Sequence, residues 1–443
     1  MGDRTGLLNG MGTRRDFLVA AGATGLAFLT GCAVNPVTGQ QQLMLLDREG
    51  EVAMDKEYAP HQLSSDYGKV QDQPLAEYIQ GFGNHMAVRT HRPNMPYNFN
   101  VVNAAYVNAY AFPGGTIAAT RGILVNLDNE AELAALFGHE LGHVNARHAA
   151  ESYTDNVVTS VVLAGISAYA GAQGEEYGML TQLFGQIAQG ALLAHYSRDN
   201  EREADALGME YSVRAGYNPS GMIGLQKMLL DSHESTPSAL EMMFSTHPMS
   251  QERYDTAVNR AQIQYKQDMN KAVNKERYMD NTANLRAIKG AIQEMQSGNA
   301  AMAQNQYHEA EAHFKKALNI APNDYAGLMM YSECQKAMGN LNRAERLAVA
   351  ANNVYPNEPG AYNSFGQIAL QRGRLDAALN AFRTYDGMLP GNPSITFYQG
   401  VTCERMGRKR EAAAYYSRFL QGVNQGGEAQ HAVSRLSAWG YIK

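Results

Sequence analysis

The sequence predicts a mainly α chain in two parts: an α+β domain with a small β-sheet, followed by an α-solenoid. Three observations carry this. Four series of residues recur at a spacing of 34 through the last third of the chain. The string His139-Glu140-Leu141-Gly142-His143 lies within a helical pattern. Ahead of it, Phe99–Val102, Tyr106–Ala111 and Thr116–Ile123 are short, β-prone and broken by turn residues. A length of 443 residues suits two or three domains, and 45% apolar with 18% charged residues suits packed cores rather than disorder. The net charge of −6 excludes an electrostatic case for nucleic-acid binding, and three cysteines exclude a disulfide framework.

Residues 1–31 read as an address rather than a fold. Thr13-Arg14-Arg15-Asp16-Phe17-Leu18, before a modest apolar run from Val19 to Leu29, resembles a twin-arginine signal. Val19 stands where Lys is usual, so the ordinary secretory route stays open. Leu29-Thr30-Gly31-Cys32 resembles a lipobox, which makes Cys32 the lipidated first residue of the mature chain. A cleaved signal with an incidental cysteine is the alternative. Ala33 after the cysteine favours the outer membrane. Val157–Ala172, rich in Ala, Val, Ser and Gly, is too short to span comfortably and is expected to pack, with a membrane-facing amphipathic helix as the alternative. With Gly171–Gly178 it could form a flap over the cleft.

Pro113-Gly114-Gly115 is expected to turn the chain and allow close backbone approach. Thr116–Arg121 is expected either as an edge strand that pairs with substrate backbone or as part of a structural hairpin. Asn129 can cap the next helix, with Glu132 completing a capping box. On that helix His139 and His143 are i and i+4, so both imidazoles reach one metal ion. Glu140 is turned about 100° from His139, beside the open position, where it can take a proton from water. His148 fits a third-ligand geometry poorly, five residues round the helix from His143. Glu201 is the better third ligand, with Asp205 on the same helical face accepting the free N–H of a ligating histidine. His195, Tyr196 and Arg198 lie within two turns before Glu201, and one of them could stabilise an oxyanion; Arg198 is expected rather to pair with Asp205 or Glu201, and Glu203 to be solvated or paired. His247, before Pro248, belongs in a loop. It could reach the metal and hold the site latent, steady an oxyanion, or cap a helix.

Residues 255–290 are polar, with helical spacing, and read as a linker. Beyond it the recurring series are Pro322, Pro356 and Pro390; Gly339, Gly373 and Gly407; Ala310, Ala344, Ala378 and Ala412; and Gly298, Ser332, Gly366 and Gly400. Phe314, Phe382 and Tyr416 share an aromatic position that Ala348 interrupts. The glycines are expected to end each first helix in a left-handed cap, and the prolines to follow each second helix. The period resembles that of tetratricopeptide repeats, in four units from about 291, 325, 359 and 393. Cys334 and Cys403, two repeats apart, should be buried and unpaired.

His139-Glu140-x-x-His143 followed by Glu201-x-x-x-Asp205 resembles peptidase family M48, the gluzincins. Asn108–Ile117 and Ser245-Thr246-His247-Pro248 resemble the family's flanking segments. The resemblance implies a zinc metalloendopeptidase with one Zn2+ per chain, held by His139, His143 and Glu201, with Glu140 as base and Asp205 behind the ligands. Its exported, repeat-bearing members imply a domain plan of signal 1–31, metallopeptidase 32–254, helical linker 255–290 and repeats 291–443. They also imply degradation of misfolded or unassembled envelope proteins at the inner face of the outer membrane. The repeats would recruit polypeptide substrates or assembly machinery, and Cys32 would supply the membrane contact. The rival reading is a chaperone or assembly adaptor whose protease site is mostly latent.

Overall fold

The computed structural model describes residues 32–169, 196–235 and 237–442, without the side chains of Cys32, 160–169 and 233–239. The signal, the Gly171–Gly178 flap and His195 lie outside the described residues.

Cys32–Val34 (β1) pairs antiparallel with Gln41–Leu43 (β2). Arg48–Ser65 (α1) and Gln73–Ala87 (α2) follow, each opened by an aspartate. Asp47 accepts from Gly50 N–H at 2.7 Å and Asp72 from Leu75 N–H at 3.2 Å, each satisfying an amide the helix leaves unpaired. A second sheet comprises Asn98–Val102 (β3), Ala109–Ala111 (β4) and Thr116–Thr120 (β5), in the order β3-β5-β4. β3 runs parallel to β5 and β4 antiparallel to it.

The segment expected as an edge strand, Thr116–Arg121, is therefore the middle of the sheet. The turn Phe112–Gly115 folds β4 back along one side of β5. Phe112 N–H donates to Thr116 O at 2.7 Å, and Gly115 sits at φ +110°. β3 occupies the other side, so β3 and β4 are the edges. The sheet is also shorter than the sequence suggests. At its end Thr120 N–H still donates to Asn108 O at 3.0 Å, but the Thr120 hydroxyl, accepting from Asn108 N–H at 3.1 Å with its proton toward Tyr106 O at 2.6 Å, takes over from backbone pairing. The same oxygen accepts from Ile123 N–H and starts a short helix, Arg121–Leu124 (α3).

Glu130–Ala146 (α4) lies against β4. Then come His148–Tyr169 (α5), Arg198–Arg214 (α6), Ser220–Ser235 (α7), Pro237–Thr246 (α8) and Gln251–Ile263 (α9). The supposed linker is no free tether. It continues through a 3-10 turn, Lys266–Asn270, into Lys275–Asn281 (α10) and Ala283–Ala287 (α11), packed on the first half. Asn218 Nδ2 donates to the carbonyls of Met269 (2.9 Å) and Lys271 (2.6 Å), and the fully buried Tyr278 donates its hydroxyl to Leu124 O at 2.6 Å.

The array pairs Lys289–Ala303 (α12) with Tyr307–Ile320 (α13), Tyr325–Ala337 (α14) with Leu341–Val354 (α15), Gly360–Gln371 (α16) with Leu375–Met388 (α17), and Pro393–Arg405 (α18) with Lys409–Phe419 (α19). Gly427–Ala438 (α20) closes it. Gly339, Gly373 and Gly407 have φ of +76°, +73° and +75°, the left-handed caps the period implies. Cys334 and Cys403 are free and buried.

The array shares a hydrophobic core with the first half and is tied to it by hydrogen bonds such as Gln296 Nε2 to Ala105 O at 2.7 Å and Gln71 Nε2 to Val354 O at 3.2 Å. Two further contacts involve buried carboxylates. Arg121, buried at the end of β5, forks onto Asp324 (Nη1–Oδ2 2.5 Å, Nη2–Oδ1 3.2 Å). Asp324 Oδ1 also accepts from Gly327 N–H at 2.8 Å, capping α14. Further along, the Ser64 hydroxyl donates to the buried Glu358. Between α1 and the 388–394 loop lies a cleft of about 800 Å³ whose lining includes His61, Phe112, Leu389 and Asn392. No helix among the described residues is long and apolar enough to cross a membrane.

Candidate metal centre

The centre begins with a backbone-to-backbone crossing of α4 and α6. A Cβ at Gly138 would lie 2.5 Å from Gly208 O, one at Gly208 2.7 Å from His139 N, and one at Gly142 2.9 Å from Ala204 Cα. Three missing side chains thus bring Glu201 on α6 up to the histidines of α4. Both helices are capped. Ser197 and Asn200 form a reciprocal capping box at α6. At α4, Asn129 accepts from Glu132 N–H at 3.0 Å, but Glu132 reaches back to Asp128 N–H (2.7 Å) rather than to Asn129 N–H.

His139 and His143 turn their Nε2 atoms toward each other, 3.1 Å apart. Glu201 Oε1 is 3.3 Å from His143 Nε2, and Glu201 Oε2 is 3.5 Å from His139 Nε2. His247, just past α8, joins them, its Nδ1 3.0 Å from Glu201 Oε1 and 3.3 Å from His139 Nε2. These four buried residues each offer a ligand atom within 4.8 Å of the others, a group that could hold a metal ion. The far side of each α4 histidine is held as well. His139 Nδ1 is 3.0 Å from Asp205 Oδ1, and His143 Nδ1 is 2.9 Å from His148 Nδ1. Fixing Nδ1 leaves Nε2 as the free donor.

Residues 74–261 match the family model "Peptidase family M48", and 301–365 match "Tetratricopeptide repeat". The chain carries a family M48 peptidase domain. Family M48 is a family of zinc-dependent metallopeptidases. A beta-barrel assembly-enhancing protease of Yersinia pestis is 29% identical over 55% of this chain and 50% of its own length. Its Escherichia coli (strain K12) namesake is 25% identical over 74% of this chain and 72% of its own. The metalloprotease YcaL of Escherichia coli (strain K12) is 29% identical over 53% of this chain and 93% of its own. The chain thus spans about half of the Yersinia pestis relative.

The donors this group offers, three imidazole nitrogens and a carboxylate oxygen, suit zinc. Glu140 supports the fit. It is fully buried, neither of its oxygens has a hydrogen-bond partner, and His247 Nε2 lies 3.9 Å from Oε1. An unpaired carboxylate in such a place is costly, and a neighbouring cation offsets that cost. Burial pushes the Glu140 carboxyl up, against the pull of His247 and His139. Burial pushes the His143 imidazole well down, into the neutral form that ligates metal. Burial would raise Glu201 too, but His247 and His139 beside it hold it well below the usual carboxylate range.

Two features of the M48 domain escape a sequence reading. Arg253, not Arg198, pairs with Asp205 and Glu201, while Arg198 is exposed at the start of α6. The signal for Arg253 was a cation in the first turn of a helix, where the dipole favours acids. His148 is no member of the metal-ligand group; it backs His143, with its Nε2 3.3 Å from Glu203. Tyr196 stacks on the His143 ring with centroids 3.9 Å apart.

Proposed function

We propose that the chain is an exported zinc endopeptidase that cleaves misfolded or unassembled cell-envelope proteins, its repeats recruiting substrates or outer-membrane assembly machinery. The observation that carries this reading is the buried convergence of His139, His143 and Glu201, with the Glu140 carboxylate, which makes no hydrogen bond, 3.9 Å from His247 beside them. His139, His143 and Glu201 are the proposed ligands, oriented through Asp205 and His148. Zinc, when bound, supplies the Lewis acidity that polarises a carbonyl and acidifies water. Glu140 takes the proton of the attacking water and gives it to the leaving amine. β4, the sheet edge against α4, would pair with an extended substrate, which makes sequence preference loose. The names of the relatives favour a role in β-barrel assembly. Residues 1–31 are proposed as the cleaved signal and Cys32 as the lipidated anchor at the outer membrane.

A second reading, an adaptor with a mostly latent site, is favoured by His247, whose ring lies among the proposed ligands. Both are tested by metal content and casein cleavage of the chain beginning after Cys32. We expect one zinc per chain, cleavage at least about 100-fold lower in Glu140→Gln, and higher cleavage in His247→Ala. Zinc without cleavage in either the unsubstituted chain or His247→Ala supports the adaptor. Absence of zinc overturns the centre.

A further inference from the structure

Arg253 lies in the first turn of α9, where a cation is disfavoured by the helix dipole, and its side chain is only 6% exposed. Its contacts account for that placement. Nε and Nη2 fork onto Asp205, to Oδ2 at 2.7 Å and Oδ1 at 2.8 Å. Nη1 donates to Pro248 O at 2.9 Å and makes an ion pair with Glu201 Oε2 at 2.6 Å. One rigid planar group thus touches a proposed metal ligand, the carboxylate behind another, and the residue after His247.

We propose that Arg253 is the positioning residue of the metal centre. It holds Glu201 so that Oε1 faces His143 and His247, locks Asp205 against His139, and ties the His247 loop to both. The inference rests on the reading of Glu201 as a zinc ligand. Each part follows from the geometry. With Oε2 against the guanidinium, Glu201 Oε1 is the oxygen nearest His143 and His247. Asp205 Oδ1 is shared by His139 and Arg253, and Oδ2 by Arg253 and Gln226 Nε2 (3.0 Å), so the carboxylate cannot turn without losing a partner. The Pro248 carbonyl is bonded to the same guanidinium, so a shift of the loop is felt at Glu201 and Asp205. A lysine keeps the charge but loses the fork.

A merely structural role, joining α9 to α6, has an internal control. Arg202 on α6 pairs with Glu252 on α9 at 3.0 Å on the surface. Chelator competition for zinc, the visible spectrum of the cobalt-loaded protein, and kcat and KM for casein would be measured on the mature chain. The variants are Arg253→Gln, Arg253→Lys and Arg202→Gln. We expect Arg253→Gln to weaken zinc about 10- to 100-fold, the usual cost of removing a group that orients ligands, and to change the cobalt spectrum. Arg253→Lys should recover only part of that loss, with kcat falling more than KM rises. Arg202→Gln should match the unsubstituted protein throughout. If Arg253→Gln fails to fold, Arg253→Lys decides by the same readouts. Unchanged zinc affinity and cobalt spectrum in Arg253→Lys, or equal losses in Arg202→Gln, overturn the proposal while leaving the metal centre standing. No zinc in the unsubstituted protein overturns the reading beneath it instead.

Discussion

Glycine brings helices together in both halves of the molecule, but against different neighbours. Where α4 crosses α6, a Cβ at Gly138, Gly142 or Gly208 would meet backbone. In the array, a Cβ at Gly298, Gly366 or Gly400 would meet the ring of Phe314, Phe382 or Tyr416, at 2.6 Å in each case. A ring at the end of a side chain can turn away; a main chain can yield only by carrying its neighbours with it. The second repeat shows the array using that freedom. Ser332 replaces the glycine where Ala348 replaces the ring, and the Ser332 hydroxyl donates to Ala344 O at 2.8 Å. No such exchange is open to Gly208, because the atom it faces is the main-chain nitrogen of His139. The chain is thus inflexible where it sets ligand positions and adjustable where it only stacks.

The contrast can be broken most forcefully at the joint between the halves. Asp324→Ala strands Arg121 buried without its carboxylate and uncaps α14, and should cost about 3–5 kcal/mol. Thermal unfolding should then split into two transitions, whereas a single unshifted one would mean that the halves do not depend on the joint. Next, Gly208→Ala should cost about 3 kcal/mol and weaken zinc binding. Gly366→Ser should cost about 1–2 kcal/mol and leave zinc binding alone. Adding Phe382→Ala to Gly366→Ser copies the second repeat and should restore part of the loss. Equal zinc affinity in Gly208→Ala and Gly366→Ser would erase the distinction.

The smallest effect concerns pH. Burial raises the Glu358 carboxyl above its ordinary value, against the Ser64 hydroxyl and Gly360 N–H that favour the charged form. A raised folded pKa adds stability that is full below the unfolded pKa and is lost as pH rises through the folded one. Glu358→Gln removes that dependence. The Tm of the variant minus that of the unsubstituted chain should therefore grow from pH 4 to pH 8. A difference that is flat or shrinks with pH would contradict this placement of Glu358.

What the sequence disclosed follows the range of each interaction. The repeats were legible because each capping glycine and trailing proline acts within its own helical pair. The pairs His139 and His143, and Glu201 and Asp205, were legible because a spacing of four puts two residues on one helical face. The order of the sheet was not. Whether Thr116–Thr120 is edge or centre depends on where β3, some fifteen residues earlier, comes to lie. Arg253 and His148 escaped for the same reason. Arg253 meets Asp205 across 48 positions, and His148 meets Glu203 across 55, so no local period marks either pair.

The spread of contacts between the halves has a mechanical consequence. A single contact at Arg121–Asp324 would leave the array a pivot. Gln296–Ala105, Gln71–Val354 and Ser64–Glu358, spaced along the joint, remove the rotation. The array is then the fixed jaw of a calliper rather than an arm. The width of the cleft of about 800 Å³ beside Phe112 is therefore set by the joint, when the chain folds.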